Sequence, residues 1–178
     1  MVRYLVVALC AVLVAAISSG ARAQVPDVHF LIDGGASFPV SGFSDRNDAG
    51  FQFGAGVGVG QPGYKFGGRL EGLYDQLNSK LFAGTARVSG LTANATYELN
   101  PGVRHGTPPS TPYLITGVGL FSTHEPFESG NTQWNFSWNG GAGYRMALGR
   151  IAAYVEVRYY VVSAVDVEFV PAVFGLVF

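Results

Sequence analysis

The sequence predicts an all-β fold, an eight-stranded antiparallel transmembrane β-barrel preceded by a cleaved signal peptide. Three observations support this prediction. The chain opens with a short hydrophobic leader, its composition is poor in charge but rich in aromatic residues and glycine, and apolar and polar side chains alternate every second residue in segment after segment. Together they favour strands that close on themselves.

Residues 1–23 have the features of a secretory signal peptide. Arg3 precedes an apolar run over 4–17, and Ala21 and Ala23 supply a small-x-small cleavage pattern before Gln24. A run of about 14 residues is shorter than the roughly 20 that a membrane-spanning helix needs. We therefore expect the mature chain, 24–178, to be one domain, and it has no cysteine because Cys10 lies in the leader.

The composition excludes several classes of protein. Charged residues make up 13% of the chain, about half the usual quarter, while aromatics also reach 13% and glycines number 25. Of the eleven Lys and Arg residues, Arg3 and Arg22 fall in the leader, which leaves nine against twelve Asp and Glu. This balance gives no basic footprint for nucleic acid. An apolar, exported chain without spanning helices leaves the closed β-barrel as its membrane architecture.

Alternation predicts the strands and their faces. The eight predicted strands are 27–38, 50–60, 63–76, 87–99, 112–122, 132–147, 151–162 and 167–178. In 50–60, Phe51 and Phe53 alternate with Gln52, and in 151–162, Val157 lies between Glu156 and Arg158. Charges fall on one parity class in each segment whose faces can be assigned, namely 28–38, 50–60, 64–74, 91–99, 134–146 and 153–161. In 112–122 both faces are apolar or glycine, so that segment gives no direction.

The apolar faces favour a membrane barrel over a soluble one. Trp134 and Tyr144 are ten residues apart on one face, which is about 33 Å along a strand and roughly 25 Å of height at a tilt near 40°. That height fits two aromatic girdles around a lipid-facing band. The polar faces carry mostly Gly, Asn, Ser and Thr and few charged residues, whereas the outer face of a soluble sheet must be hydrated. A soluble, lipocalin-like ligand-binding barrel stays as a second alternative.

The connections alternate in length. "QPG" (61–63) and "LGR" (148–150) are tight, whereas 39–49, 75–86 and 122–133 are longer and polar. Outer-membrane barrels place short turns on the periplasmic side and long loops outside. The three long loops are therefore the predicted contact surface. Residues 100–112 are long for a periplasmic turn, and 163–166 are short for an outer loop.

The last strand is apolar on alternate residues up to the end of the sequence. Phe174, Leu176 and Phe178 share one face, which we expect to meet lipid while the strand pairs with the first one and removes the sheet edge. A terminal phenylalanine after such alternation resembles the assembly signal that the outer-membrane barrel insertion machinery reads.

Several stretches together resemble a known family. They are "GGASFPVSGFSDRNDAGFQFGAGVG", "GGRLEGLY", "PYLITGVGLF", "NGGAGYR", "YVEVRYY" and "FVPAVFGLVF". In this order and spacing they are similar to the small outer-membrane β-barrel proteins, the OmpA-transmembrane-domain and OmpX-like group. The resemblance implies a monomer in the bacterial outer membrane that contacts lipid and lipopolysaccharide, uses no cofactor and assembles through its C-terminal strand. It does not choose among the functions of the group.

Six charged residues are predicted to face the interior. They are Arg69, Glu71, Glu98, Arg145, Glu156 and Arg158. An eight-stranded barrel is just wide enough inside for side chains to fill it, and buried charges must be paired there. We therefore expect a plugged, salt-bridged interior and a structural or surface-interaction role through the loops. The alternative is a polar pathway, that is, a narrow pore for ions or small solutes.

Other motifs give weaker signals, and we expect no enzyme activity. Ser122, His124, Glu125 and Glu128 cluster in a predicted outer loop, where a lipid A deacylase-like barrel would act, but such a loop holds catalytic geometry poorly.

Two further patterns point away from a bound group. "GAGVGVG" (54–60) has no following helix to present to a pyrophosphate, so its glycines are better explained as small inward residues. His29, His105 and His124 lack metal-ligand spacing.

Overall fold

The structure, a computed structural model, describes residues 27–60, 65–80, 84–100, 110–124, 134–149, 151–163 and 167–178. Its elements are β1 (Asp27–Pro39), α1 (Ser41–Arg46), β2 (Asn47–Gly60), β3 (Phe66–Ser79), β4 (Thr85–Glu98), β5 (Thr111–His124), β6 (Trp134–Leu148), β7 (Ile151–Val162) and β8 (Val167–Val177). Each strand pairs antiparallel with the next, and β8 pairs with β1, so the barrel is closed. The predicted fold class is confirmed. The predicted signal peptide lies outside the described residues.

One short helix, α1, interrupts the strands. Within the described ranges, no helix is long and apolar enough to cross a membrane.

Large apolar side chains cover the outside of the barrel and form what we call the belt. Its aromatic members are Phe30, Phe38, Phe51, Phe53, Phe66, Trp134, Phe136, Trp138, Tyr144, Phe174 and Phe178. Aliphatic members such as Leu70, Leu91 and Val157 lie between them, each at least 46% exposed. The alternation predicted these outward faces correctly, because successive side chains of a strand point to opposite sides of the sheet.

The strand without a predicted direction, β5, is also resolved by burial. Tyr113, Ile115 and Phe121 are buried inside, whereas Leu114 is half exposed on the outside. The inner face of β5 is therefore apolar at these positions, and the barrel interior is not polar along its whole height. Parity alone could not distinguish the two faces.

Several strands run further than predicted at the end of the barrel that carries α1, here called the loop end, where β3, β5 and β7 end and β4, β6 and β8 begin. The predicted loop 39–49 contains α1 and the start of β2, and the predicted loop 75–86 is largely strand, since β3 continues to Ser79 and β4 begins at Thr85. β5 likewise continues to His124, into the predicted loop 122–133. These boundaries were wrong because ladder pairing with neighbouring strands overrides local turn-like composition.

An apolar cluster closes the interior at the loop end. It consists of Phe43, Leu73, Leu77, Ala86, Val88, Phe121, Tyr160, Val162, Val167 and Phe169. The rings of Tyr160 and Phe169 stack with centroids 5.0 Å apart, and Phe121 meets both edge-on. Phe43 projects from α1 into this cluster and is 1% exposed. The mouth of the barrel is therefore sealed by side chains.

Helix α1 is held across that mouth from two sides. The Ser41 hydroxyl donates to Glu168 Oε2 on β8 at 2.6 Å, and the Val40 amide donates to the Glu168 carbonyl at 3.0 Å. On the other side, Lys80 Nζ donates to the Ser44 carbonyl at 2.7 Å. Ser41 takes a φ of 53°, a left-handed conformation that non-glycine residues adopt only where the surroundings enforce it.

The polarity of the two faces inverts along the same strands. In the middle of β4, Leu91 faces out while Thr92 and Asn94 are buried; nearer the loop end, Arg87 is exposed and Val88 is buried. β3 behaves alike, with Leu70 outside over the belt but Leu77 fully buried beyond it. The loop end is thus built like a water-soluble barrel, and the belt is built like a membrane barrel.

The closing seam between β1 and β8 requires a glycine. Phe30 and Phe178 exchange both backbone hydrogen bonds, at 2.7 and 3.0 Å. A Cβ atom at Gly35 would lie 2.0 Å from the carbonyl oxygen of Ala172 on β8, whereas one at the adjacent Gly34 would lie 3.5 Å from its nearest atom, the Gln52 carbonyl oxygen. The backbones of β1 and β8 can therefore approach each other only without a side chain at 35.

We expect Gly35→Ala to destabilise the closed barrel by about 1–3 kcal/mol, because overpacking forces the seam to shift. Gly34→Ala is the matched control and should unfold like the wild type. The measurement is the gel mobility of unheated and boiled protein after refolding in detergent, together with thermal unfolding by circular dichroism. Equal behaviour of the two variants would contradict the tight seam.

Candidate functional site

The charged interior is positioned by two strands on opposite sides of the barrel. β3 and β7 are four steps apart in the ring of eight, so they face each other across its diameter. Arg69 and Glu71 project inward from β3, and Glu156 and Arg158 project inward from β7. In each pair the spacing of two residues places both side chains on the same face. All four are at most 6% exposed.

These four side chains form a closed ring of alternating charge, here called the Arg/Glu ring. Arg158 binds Glu71 through two parallel hydrogen bonds of 2.7 and 2.8 Å, and its Nε also donates to Glu156. Arg69 donates to Glu156 at 3.0 Å and lies 3.8 Å from Glu71. The bidentate geometry is the strong form of the Arg–carboxylate pair, and the ring spans the interior from β3 to β7.

Neutral side chains complete the hydrogen bonding of the ring. Asn94 donates to Glu71 at 2.6 Å, Tyr113 donates to Glu156 at 2.8 Å, and Arg158 donates to the Tyr160 hydroxyl at 2.9 Å. The Arg69 guanidinium lies between the rings of Tyr113 and Tyr154, 5.0 and 5.1 Å from their centroids. Buried charges are tolerable only when paired and hydrogen-bonded in this way.

The other two predicted charges form a separate pair. Arg145 on β6 binds Glu98 on β4, nearer the end of the barrel where β1 begins, and both side chains are partly exposed. A cavity of about 30 Å³ lies beside this pair, with room for one or two waters. His29, Phe66, Arg69 and Thr96 also line it. The structure thus brings four of the six predicted residues into one ring and leaves Glu98 and Arg145 outside it.

Two carboxylates in the barrel interior were not predicted as site residues. Asp33 is buried on β1, where the Tyr154 hydroxyl donates to it at 2.8 Å. Asp75 falls where the predicted strand 63–76 overlaps the predicted loop 75–86, and the structure places it on the inner face of β3, completely buried. Its inward parity with Arg69 and Glu71 was the available signal, and the polar residues that follow it obscured that signal.

The remaining sequence motifs do not form a second site. Ser122 and His124 belong to β5, and their backbones pair with Ser89 and Arg87 of β4, so the predicted outer-loop position was wrong. Glu125 and Glu128 lie outside the described residues.

Gly54, Gly56 and Gly58 are inward and tightly packed, as predicted, whereas a Cβ at Gly60 would meet nothing within 4 Å. A Cβ at Gly54 would touch the Asp33 carboxylate, and one at Gly58 would touch the His29 ring.

Comparison with known proteins places the fold among solved β-barrels. No family model and no curated protein matches the sequence. Neisserial surface protein A is similar in structure, with a TM-score of 0.67, 15% identity, and coverage of 86% of this chain and 98% of that one. The N-terminal β-barrel domain of Pseudomonas aeruginosa OprF is also similar, with a TM-score of 0.53, 12% identity, and coverage of 86% and 99%. At these identities the likeness shows the fold alone.

We expect Arg158→Met to lower the free energy of unfolding by about 3–5 kcal/mol, because it leaves Glu71 and Glu156 buried without their main partner. Lys80→Met is the surface control: Lys80 pairs with Asp48 at 3.4 Å and donates to the Ser44 carbonyl at 2.7 Å, and such surface interactions contribute about 1 kcal/mol each. Urea unfolding of the refolded protein in detergent, followed by tryptophan fluorescence, measures both. A loss no larger for Arg158→Met than for Lys80→Met would show that the ring does not stabilise the barrel.

Proposed function

We propose that this protein is a bacterial outer-membrane β-barrel whose role is structural or surface-interacting, exercised through its loop end. The observation that carries the proposal is the belt, which surrounds a closed barrel with a charged interior. A soluble, lipocalin-like barrel needs its apolar faces inside, whereas Phe66, for example, is 73% exposed on the outside. Lipid is the solvent that suits such a surface.

The belt also has the dimensions that a bilayer needs. Trp134 and Tyr144 both face outward, and their separation along β6 corresponds to roughly 25 Å of height. Tyr97 and Phe66 pair at one margin, with ring centroids 5.1 Å apart, and Trp138 meets Tyr159 towards the other at 6.0 Å. Aromatic rings at both margins are typical of the two membrane–water interfaces. Outer-membrane lipid and lipopolysaccharide are the proposed surroundings.

The proposed orientation places the loop end outside the cell. Its outer face is polar, with Arg87 and Asn78 exposed, so this part of the barrel suits water rather than hydrocarbon. The described part of the surface available for contacts consists of α1 and the strand ends around it, at Ser79, Thr85, His124, Trp134, Val162 and Val167. It is smaller than the loops predicted from the sequence, because the strands continue into them.

Two levels of packing support a closed interior. The Arg/Glu ring spans the lumen from β3 to β7, and the apolar cluster with Phe43 seals the mouth above it. The narrow-pore alternative is favoured by one feature, the small polar cavity beside Arg145 and Glu98, which reaches Arg69. A pore would need an opening past both the Arg/Glu ring and the apolar cluster.

The C-terminal strand supports a proposal about assembly. Phe174 and Phe178 face outward, and Leu176 lies on the same face, while the strand is paired along β1. This apolar alternate face is what we propose the barrel-assembly machinery recognises. We further propose that the protein is a monomer, because closure leaves no sheet edge for another chain.

We expect a single cysteine in α1 to be accessible from outside the cell. Since the chain after residue 23 has no cysteine, Asp45→Cys and Asn100→Cys each introduce one label site at opposite ends of the barrel. A membrane-impermeant maleimide should label Asp45→Cys on intact cells, and Asn100→Cys only after the outer membrane is permeabilised. The reverse pattern would contradict the orientation, and labelling in a soluble fraction would contradict the membrane assignment.

We expect no steady conductance from the wild-type protein in a planar bilayer, because the ring and the apolar cluster fill the lumen. Arg69→Met and Arg158→Met test the interior, and Lys80→Met is the surface control. A steady wild-type conductance that changes in the two interior variants but not in Lys80→Met would overturn the closed interior in favour of the narrow pore.

A further inference from the structure

The interior carries two more negative charges than its arginines balance. Arg69 and Arg158 neutralise Glu71 and Glu156 within the ring, and Arg145 neutralises Glu98. Asp33 and Asp75 are left over, 5% and 0% exposed. In the part of the chain that the structure describes, neither carboxylate has a Lys or Arg within ion-pair distance. A buried charge without a partner is very costly, so this excess needs a compensating ion or proton.

The two aspartates lie on β1 and β3, the strands on either side of β2, together with two further oxygen-bearing side chains. Gln52 on β2 is the register partner of Asp75 on β3 and of Gly35 on β1, midway between Asp33 and Ser37. All four side chains share the inner face of three neighbouring strands. Gln52 Nε2 reaches Asp33 Oδ1 at 3.5 Å, and the Ser37 hydroxyl approaches Asp75 without completing a hydrogen bond.

The unpartnered atoms in this group are all oxygens. Both carboxylate oxygens of Asp75, the Ser37 Oγ and the Gln52 Oε1 are buried and make no hydrogen bond within the described residues. Ser37 and Gln52 add two neutral oxygens to those of the acidic pair, and they are 0% and 4% exposed. Carboxylate, hydroxyl and amide carbonyl oxygens are the ligands that hard cations prefer.

The surroundings keep this group away from water. Leu73 and Leu77 flank Asp75 on the inner face of β3 and belong to the apolar cluster that seals the mouth. The Tyr154 hydroxyl, whose ring packs against Arg69, is already bonded to Asp33. The group is therefore enclosed, negatively charged and rich in acceptors.

We propose that Asp75, Ser37 and Gln52, supported by the charge of Asp33, form an interior binding site for one hard cation. Calcium is the ion whose charge balances both carboxylates and whose flexible oxygen coordination tolerates mixed ligands. Sodium shares the oxygen chemistry and balances half of the charge. The site does not depend on the protein's surface role, because none of its residues lies on the loop surface.

The first test measures the ion content of the full chain refolded in detergent with calcium chloride, with sodium chloride alone, or with a chelator. After exhaustive dialysis, elemental analysis should find about one calcium per wild-type chain and none in Asp75→Asn. Asp45→Asn is the matched control, since it makes the same chemical change on exposed α1 and should keep the ion. Calcium that survives in Asp75→Asn but is lost in Asp45→Asn would overturn the proposal in favour of a surface site.

The second test compares the unfolding temperatures of Asp75→Asn and the wild type. The sign of their difference is expected to reverse between chelator and added calcium. With chelator and no added salt, Asp75→Asn should unfold at a higher temperature than the wild type, because it removes an uncompensated buried charge. Added calcium should raise the unfolding temperature of the wild type and leave that of Asp75→Asn unchanged. A shift produced equally by sodium, and abolished in Asp75→Asn, would support the same site with a monovalent ion.

A third variant keeps the test decisive if Asp75→Asn refolds poorly. Ser37→Ala leaves the charges intact and should weaken calcium binding roughly tenfold, as loss of supporting polar groups does in metal sites. Two results would overturn the proposal: no bound ion in the wild type under any condition, or an unfolding temperature that ignores ions and falls only as the pH rises. The second would show that a proton, not a cation, neutralises Asp75.

Discussion

Closure of the ring is the constraint on which the rest of the structure depends. In the proposed membrane setting, hydrocarbon offers no partner to a free amide or carbonyl, so each strand inside the belt must be bonded on both sides. The seam between β1 and β8 meets this demand, and it does so with Gly35 where a side chain would collide with the Ala172 carbonyl. Once eight strands close, the lumen is narrow, and every inward side chain must find its place within it.

The Arg/Glu ring follows from that narrowness. Side chains from opposite walls meet in the middle, so Arg158 on β7 can bind Glu71 on β3 although they are 87 residues apart. Charge inside a barrel is tolerated only as long as it is paired, which makes each ring member dependent on the others. The same reasoning makes Asp33 and Asp75 conspicuous. They occupy the inner wall of β1 and β3, away from the arginines, and their excess charge is the least compensated feature of the interior.

Sequence alone could predict whatever depends on local parity, and little that depends on pairing between distant strands. Phe51, Leu70 and Val157 were assigned to the outer face correctly because a strand's faces alternate with a fixed period. Asp75 was left between a predicted strand and a predicted loop because the polar residues after it resemble a loop. Its pairing partners on β2 and β4 are distant in sequence and give no local signal. The contact of Tyr113 with Glu156 had no local signal at all. Surface function is equally hidden, since one barrel fold serves many roles.

In the proposed membrane setting, the reversal of polarity along β3 and β4 also fixes how deep the barrel lies in the bilayer. A strand that slides by two residues keeps the parity of its faces, so alternation alone cannot set a vertical position. Here such a slide would carry Arg87 toward hydrocarbon, where an arginine costs up to about 2–4 kcal/mol at the midplane. In the proposed membrane setting, the boundary between the two patterns therefore holds the barrel at one height in the bilayer.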